Sequence, residues 1–160
     1  MQHKSAFAAL LLASLALPAA AQAPAAGDQI IDGGAVESVL SIAQRHGDAT
    51  REDQMNGNPG ISGRLADTDY YIYFVNCDPA GVCEDVNFYA GFSESQPPLE
   101  SINEWNRDRR FGKAYIDYED DAVIEMDVNL EYGVTMDNLD ATFLVWERVL
   151  TEFRSHIGHD

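Results

Sequence analysis

The side chains best equipped for chemistry lie between Asn103 and Tyr118, in the run Asn-Glu-Trp-Asn-Arg-Asp-Arg-Arg-Phe-Gly-Lys-Ala-Tyr-Ile-Asp-Tyr. Arg107, Arg109 and Arg110 carry planar, permanently charged forks that match the geometry of a carboxylate or a phosphate. Trp105 offers a stacking face beside them. These four residues form the candidate binding site, suited to an anionic group. An equally physical reading makes Trp105 a core plug and pairs the arginines with acids of a neighbouring sheet, Asp117 or Asp127 among them.

Other groupings are weaker. Asp117, Glu119, Asp120 and Asp121 supply oxygen ligands but lack the spacing of a calcium loop, so a solvated turn is expected. His156, His159 and Asp160 sit at a chain end, a poor place to hold a metal. Asp117, Glu125 and Asp127 are the carboxylates that a hydrolase reading would need. The chain has no G-x-S-x-G, no P-loop and no nucleotide-binding glycine fingerprint. We therefore expect no catalytic residues, no metal and no cofactor.

Cys77 and Cys83 are the only cysteines, with Asp-Pro-Ala-Gly-Val between them. The Asp78–Gly81 segment has turn chemistry and strand-like runs flank it, so the two sulfurs should face each other across a hairpin. A redox or metal pair is the competing reading. Five intervening residues are not the C-x-x-C spacing, and no histidine lies nearby to complete a zinc set. A disulfide is expected, which fits an oxidising compartment.

Compartment is also suggested by the first residues. Lys4, the apolar run Ala6–Leu17 and the small-residue exit Pro18–Ala21 have the form of a secretory signal peptide over residues 1–21. Its apolar run is too short to span a membrane. Residues 22–29 read as a disordered tail, 30–155 as one domain and 156–160 as a C-terminal tail. The expected location is periplasmic or secreted. Without the leader, nine basic side chains face 27 acidic ones, a formal charge of −18. Such a surface repels nucleic acid and anionic lipid.

The elements around these residues follow from periodicity. Asp32 is placed to cap a first helix bearing Val36, Val39, Leu40 and Ala43, which ends near His46-Gly47. Ala49–Gly60 reads as a loop between a weak edge strand and the next strand; strands follow at Ile61–Ala66 and Tyr70–Cys77, the latter apolar or aromatic on both sides and so expected to be covered on both faces. Val86, Phe88, Ala90 and Phe92 line one side of the next strand. Pro98 opens a helix with Leu99, Ile102 and Trp105 on one face, and Gly112 is placed to stop it. Strands at Lys113–Tyr118 and Ala122–Val128 follow. Thr135 caps a last helix whose stripe of Leu139, Phe143, Trp146, Leu150 and Phe153 fits a core face or the seam of a homodimer. The fold class is α+β, with about five to six antiparallel strands and three helices.

Together, Ile102–Tyr115, the run Val123-Ile-Glu-Met-Asp-Val-Asn-Leu130 and Gly133-Val-Thr135 resemble the signature of the YbjN family of bacterial sensory transduction regulators. The hairpin from Val75 to Cys83 is similar to that of its exported members. The resemblance runs from about Ile30 to Phe153. It implies a type III secretion chaperone-like fold and no enzymatic reaction, cofactor or catalytic residue. A module that holds a protein or peptide partner is the expected function, with a small anionic-ligand sensor at the arginine turn as the alternative.

Overall fold

The computed structural model describes residues 25–93 and 95–159. The expected signal peptide, residues 1–21, lies outside them. Of the segment read as a disordered tail, Ala26–Asp28 form a 3-10 turn.

Eight strands and three helices follow: β1 (Ile30–Ile31), α1 (Val36–His46), β2 (Asp48–Arg51), β3 (Gly60–Leu65), β4 (Thr68–Cys77), β5 (Cys83–Phe92), α2 (Leu99–Asp108), β6 (Lys113–Ile116), β7 (Ala122–Asn129), β8 (Val134–Thr135) and α3 (Met136–Ile157). Six of the strands form one antiparallel sheet in the order β2-β3-β4-β5-β7-β6, and β1 pairs with β8 in a small second sheet. The fold is α+β, with three helices as expected.

Alternation along the strands sorts the sheet into two faces. Ile61, Ile72, Phe74, Val86, Phe88 and Ile124 point to one side, where α1 and α3 bury Val39, Ile42, Leu139, Phe143, Trp146 and Leu150 against them. Phe88 packs edge-on to Phe143 at 5.2 Å and tilted to Trp146 at 5.6 Å. The stripe on α3 is thus a core face, fully buried within its own chain, and not a seam between subunits. Thr135 caps α3 by accepting from the Asn138 amide. Because α3 continues to Ile157, His156 belongs to the helix and not to a tail.

Three local expectations give way. Asp32 does not cap α1; its carboxylate accepts from the Gly34 amide in the preceding bend, and Ala35 stands at the cap position. Leu99 is 65% exposed while Ile102 and Trp105 are buried. A spacing of three residues drifts by about 60° per step around a helix, so Leu99 rotates off the buried face. Gly112 does not end α2, which stops at Asp108; it serves the turn into β6 at φ 76°, where a Cβ would lie 2.9 Å from Ile124 and Val149.

The strand β4 is apolar on both sides, but no helix lies on its second face among the described residues. Tyr71 and Tyr73 are half-buried there by neighbouring side chains of the same sheet. Cys77 and Cys83 are direct cross-strand partners of β4 and β5 and are joined by the expected disulfide. The Asp78 carboxylate holds the turn by accepting from the amides of Ala80 and Val82. Behind the hairpin, Gly33 bridges to Cys83 so closely that a Cβ on Gly33 would overlap the Cys83 carbonyl.

Candidate functional site

The structure divides the arginine turn. Trp105 is 1% exposed, edge-on to Phe153 at 5.0 Å, and its Nε1 donates to the Gly112 carbonyl at 3.2 Å. It is a core plug. Arg109 lies over the indole at 5.6 Å and pairs with Glu152 at 3.4 Å, while Arg107 pairs with Asp108 at 3.0 Å. The pairing acids are thus local ones and not Asp117 or Asp127. Arg110 is exposed and, like Arg148 of α3, has no acidic partner among the described residues; both border a shallow cleft of about 50 Å³ beside the half-exposed Phe111.

Asn106 went unnoticed in the sequence. Its side-chain Nδ2 donates to the Ala114 carbonyl at 2.9 Å and its Oδ1 accepts the Ala114 amide at 2.9 Å. The α2 side chain therefore satisfies both outward backbone groups of one residue on edge strand β6.

A second assembly lies on the sheet face opposite the helices. Because β4, β5 and β6 present every second residue there, Tyr71, Tyr73, Tyr89 and Tyr115 share that face in a row across the strands. Tyr71 and Tyr73 have ring centroids 4.4 Å apart, and Tyr89 stands edge-on to Tyr73 at 5.8 Å. The Tyr71 hydroxyl donates to the Glu52 carbonyl, which fixes the end of the row against the loop before β3. Val123 lies on this same face and is 0% exposed.

Polar groups are interleaved with the rings. Buried Asn87 donates through Nδ2 to Glu125 at 3.1 Å and to Asp127 at 2.8 Å. Lys113 Nζ lies 2.8 Å from the other oxygen of Glu125 and 5.5 Å from the Tyr115 ring. The Glu125 hydrogen bond, then its charge, raises the Lys113 pKa against the opposing effect of burial. Burial pushes the tyrosine pKa values up at 71, 73, 89 and 115, with Glu52 adding to the effect at 71 and 73. The phenols stay neutral across the physiological range.

Next to Tyr89 the sheet opens into a concavity of about 360 Å³, bordered by Tyr71, Tyr73, Gly91, Asp117 and Glu119. In the acidic turn, Asp117 accepts from the amides of Glu119 and Asp121, which makes it a turn-forming residue. No group of three or more His, Cys, Asp or Glu among the described residues is arranged to hold a metal ion. His156, one of the terminal histidines, instead makes a 2.8 Å contact from Nε2 to the Ser101 carbonyl, and His46 stacks on Phe143 at 5.3 Å with Nε2 3.0 Å from Asp140.

These features define a class: an α+β protein with a six-stranded antiparallel sheet, helices on one face and, among the described residues, a tyrosine-rich face left uncovered on the other. The chain belongs to the YbjN family, whose model, described as "Putative bacterial sensory transduction regulator", matches residues 35–159. No curated protein and no solved structure matches this chain. No helix among the described residues is long and apolar enough to cross a membrane.

Proposed function

We propose that this protein is an exported, non-enzymatic regulatory module that works by holding a protein or peptide segment. The observation that carries this reading is the open sheet face, where four tyrosines lie in a row with no helix of the described residues over them. Tyrosine combines a large apolar ring with a polar tip at low entropic cost, which is why it recurs at binding surfaces. The family description, a regulator of sensory transduction, supports a role in recognition. The hydrolase alternative draws less support. Glu125 is committed to Lys113 and Asn87, Asp127 to Asn87, and Asp117 to backbone amides. Export rests on the signal-like leader and agrees with the disulfide.

Replacing Tyr73 with a photocrosslinking phenylalanine analogue tests the reading. Irradiation in periplasmic extract should join the protein to a discrete polypeptide, and the same probe at Glu147, exposed on α3, should not. If Tyr73 captures nothing, the face is not a protein-binding surface.

A second reading, an anion sensor at the arginine turn, is favoured by Arg110 and Arg148, which lie beside Phe111 without acidic partners among the described residues. A rise in melting temperature with inorganic phosphate, removed by Arg110→Ala/Arg148→Ala, would support it.

A further inference from the structure

We propose that the tyrosine-lined concavity on the open sheet face binds a lysine-bearing basic peptide segment, seating an ammonium group against the rings of Tyr71, Tyr73 and Tyr89 and between the carboxylates of Asp117 and Glu119. This inference rests on the binding-module reading and names the partner's chemistry.

Charge is the first argument. Asp69, Asp117, Glu119 and Asp121 border the concavity and, among the described residues, no cationic one does. Asp69 is engaged by Arg64 from outside at 2.7 Å. The field is negative, in a protein whose formal charge is −17, so an anionic ligand is repelled and a cation attracted.

Ring geometry is the second. A cation within about 6 Å of an aromatic centroid is held by the quadrupole of the ring, and the contact strengthens when water is displaced. The Tyr73 ring lies 4.4 Å from that of Tyr71 and 5.8 Å from that of Tyr89, and all three border one concavity, so more than one ring is available to a single ammonium. Gly91 keeps the space open. It is exposed at the floor, and even a Cβ there would come within 3.2 Å of the Tyr89 hydroxyl.

The third argument is a precedent on the same face. Lys113 places its ammonium 2.8 Å from Glu125 and 5.5 Å from the Tyr115 ring. The protein thus already holds one lysine side chain between a carboxylate and a tyrosine of this sheet, and the concavity offers the same pair of groups without an internal lysine. A lysine of an extended peptide reaches such a site as Lys113 does, and lysines at alternate positions emerge on one side about 7 Å apart.

The test is calorimetric titration of the full chain, processed as it is in the cell, with a blocked heptapeptide alternating glycine and lysine. Its glutamate counterpart and spermidine serve as comparison ligands. The lysine peptide should bind, more weakly at higher salt, and the glutamate peptide should not. Asp117→Asn/Glu119→Gln should weaken binding at least tenfold. Glu131→Gln/Glu147→Gln removes the same charge elsewhere and should leave affinity within twofold. Gly91→Thr fills the concavity at unchanged charge and should also weaken binding at least tenfold; if it fails to fold, Asp117→Asn/Glu119→Gln decides alone. Equal losses in the two charge variants, spermidine binding as tightly as the peptide, or no peptide binding would each overturn the proposal. Should the Tyr73 probe still capture a polypeptide while the lysine peptide does not bind, the inference falls and the binding module stands. If neither occurs, both fall.

Discussion

Lys113 Nζ and Glu125 Oε1 stand 2.8 Å apart on the uncovered face of the sheet, directly paired across β6 and β7. The lysine is 66% exposed but the carboxylate only 16%, so the pair is unequal. Removing the lysine leaves a mostly buried anion held only by neutral donors, Asn87 and the Tyr115 hydroxyl among them. Lys113→Met should cost about 1 kcal/mol in urea denaturation, a figure tempered by the exposure of the lysine. Glu125→Gln added to it should restore most of that loss, since no charge is then stranded.

The two tryptophans differ in one respect. Trp105 Nε1 has the Gly112 carbonyl as its acceptor, whereas Trp146 Nε1 is buried without a hydrogen-bond partner among the described residues. Both are large core side chains, so phenylalanine leaves a void at either site. Trp105→Phe also orphans a carbonyl, while Trp146→Phe removes an unsatisfied donor. Denaturant midpoints should place Trp105→Phe lower in stability by roughly 1 kcal/mol.

Reduction of Cys77–Cys83 should lower the melting temperature measurably, because the bridge closes a short loop worth roughly 2 to 3 kcal/mol in the chain-entropy account. Cys77→Ser/Cys83→Ser should show the same shift and no further response to reductant. A double variant as stable as the native protein would show that the hydrogen-bonded hairpin suffices.

Alkaline pH should unfold the protein through its phenols. Tyr70 is 5% exposed, and burial pushes its pKa up from 10.0 to about 12. The folded state then holds a proton that the unfolded state releases. Stability is fully present below about pH 10 and falls as pH rises from there toward 12, by on the order of 2 to 3 kcal/mol from Tyr70 alone. Stability measured from pH 8 to 12 should be flat at first and then decline; Tyr70→Phe should flatten the decline.

Much of this architecture is legible in the sequence because it is written in local patterns. The period-two runs of β4 and β5, the turn residues between Cys77 and Cys83, and the α3 stripe with its Thr135 cap each lie within a few residues of one another. The pairing of β1 with β8 was not legible, since two residues matched to two others about a hundred positions away leave no periodic trace. Nor was the candidate site. Tyr71 and Tyr73 read as covered because tyrosine is compatible with burial; only the register that sets Tyr71 opposite Tyr89 shows the rings shielding one another. Trp105 was conspicuous for its neighbours, yet its indole faces Phe153 and the core.

A sheet ending in a bare strand invites a seventh strand from another molecule, the first step of cross-β growth. At β6 that step meets the Asn106 amide, which occupies the Ala114 amide and carbonyl just as an incoming backbone would. The opposite border, β2, is four residues long and carries Asp48 and Arg51. Asn106→Leu should therefore raise the rate of thioflavin-positive fibril formation in concentrated solution more than its effect on folding stability accounts for. The asparagine between Trp105 and Arg107 would then act as a guard against self-assembly, keeping a strongly acidic protein monodisperse even where salt screens its charge.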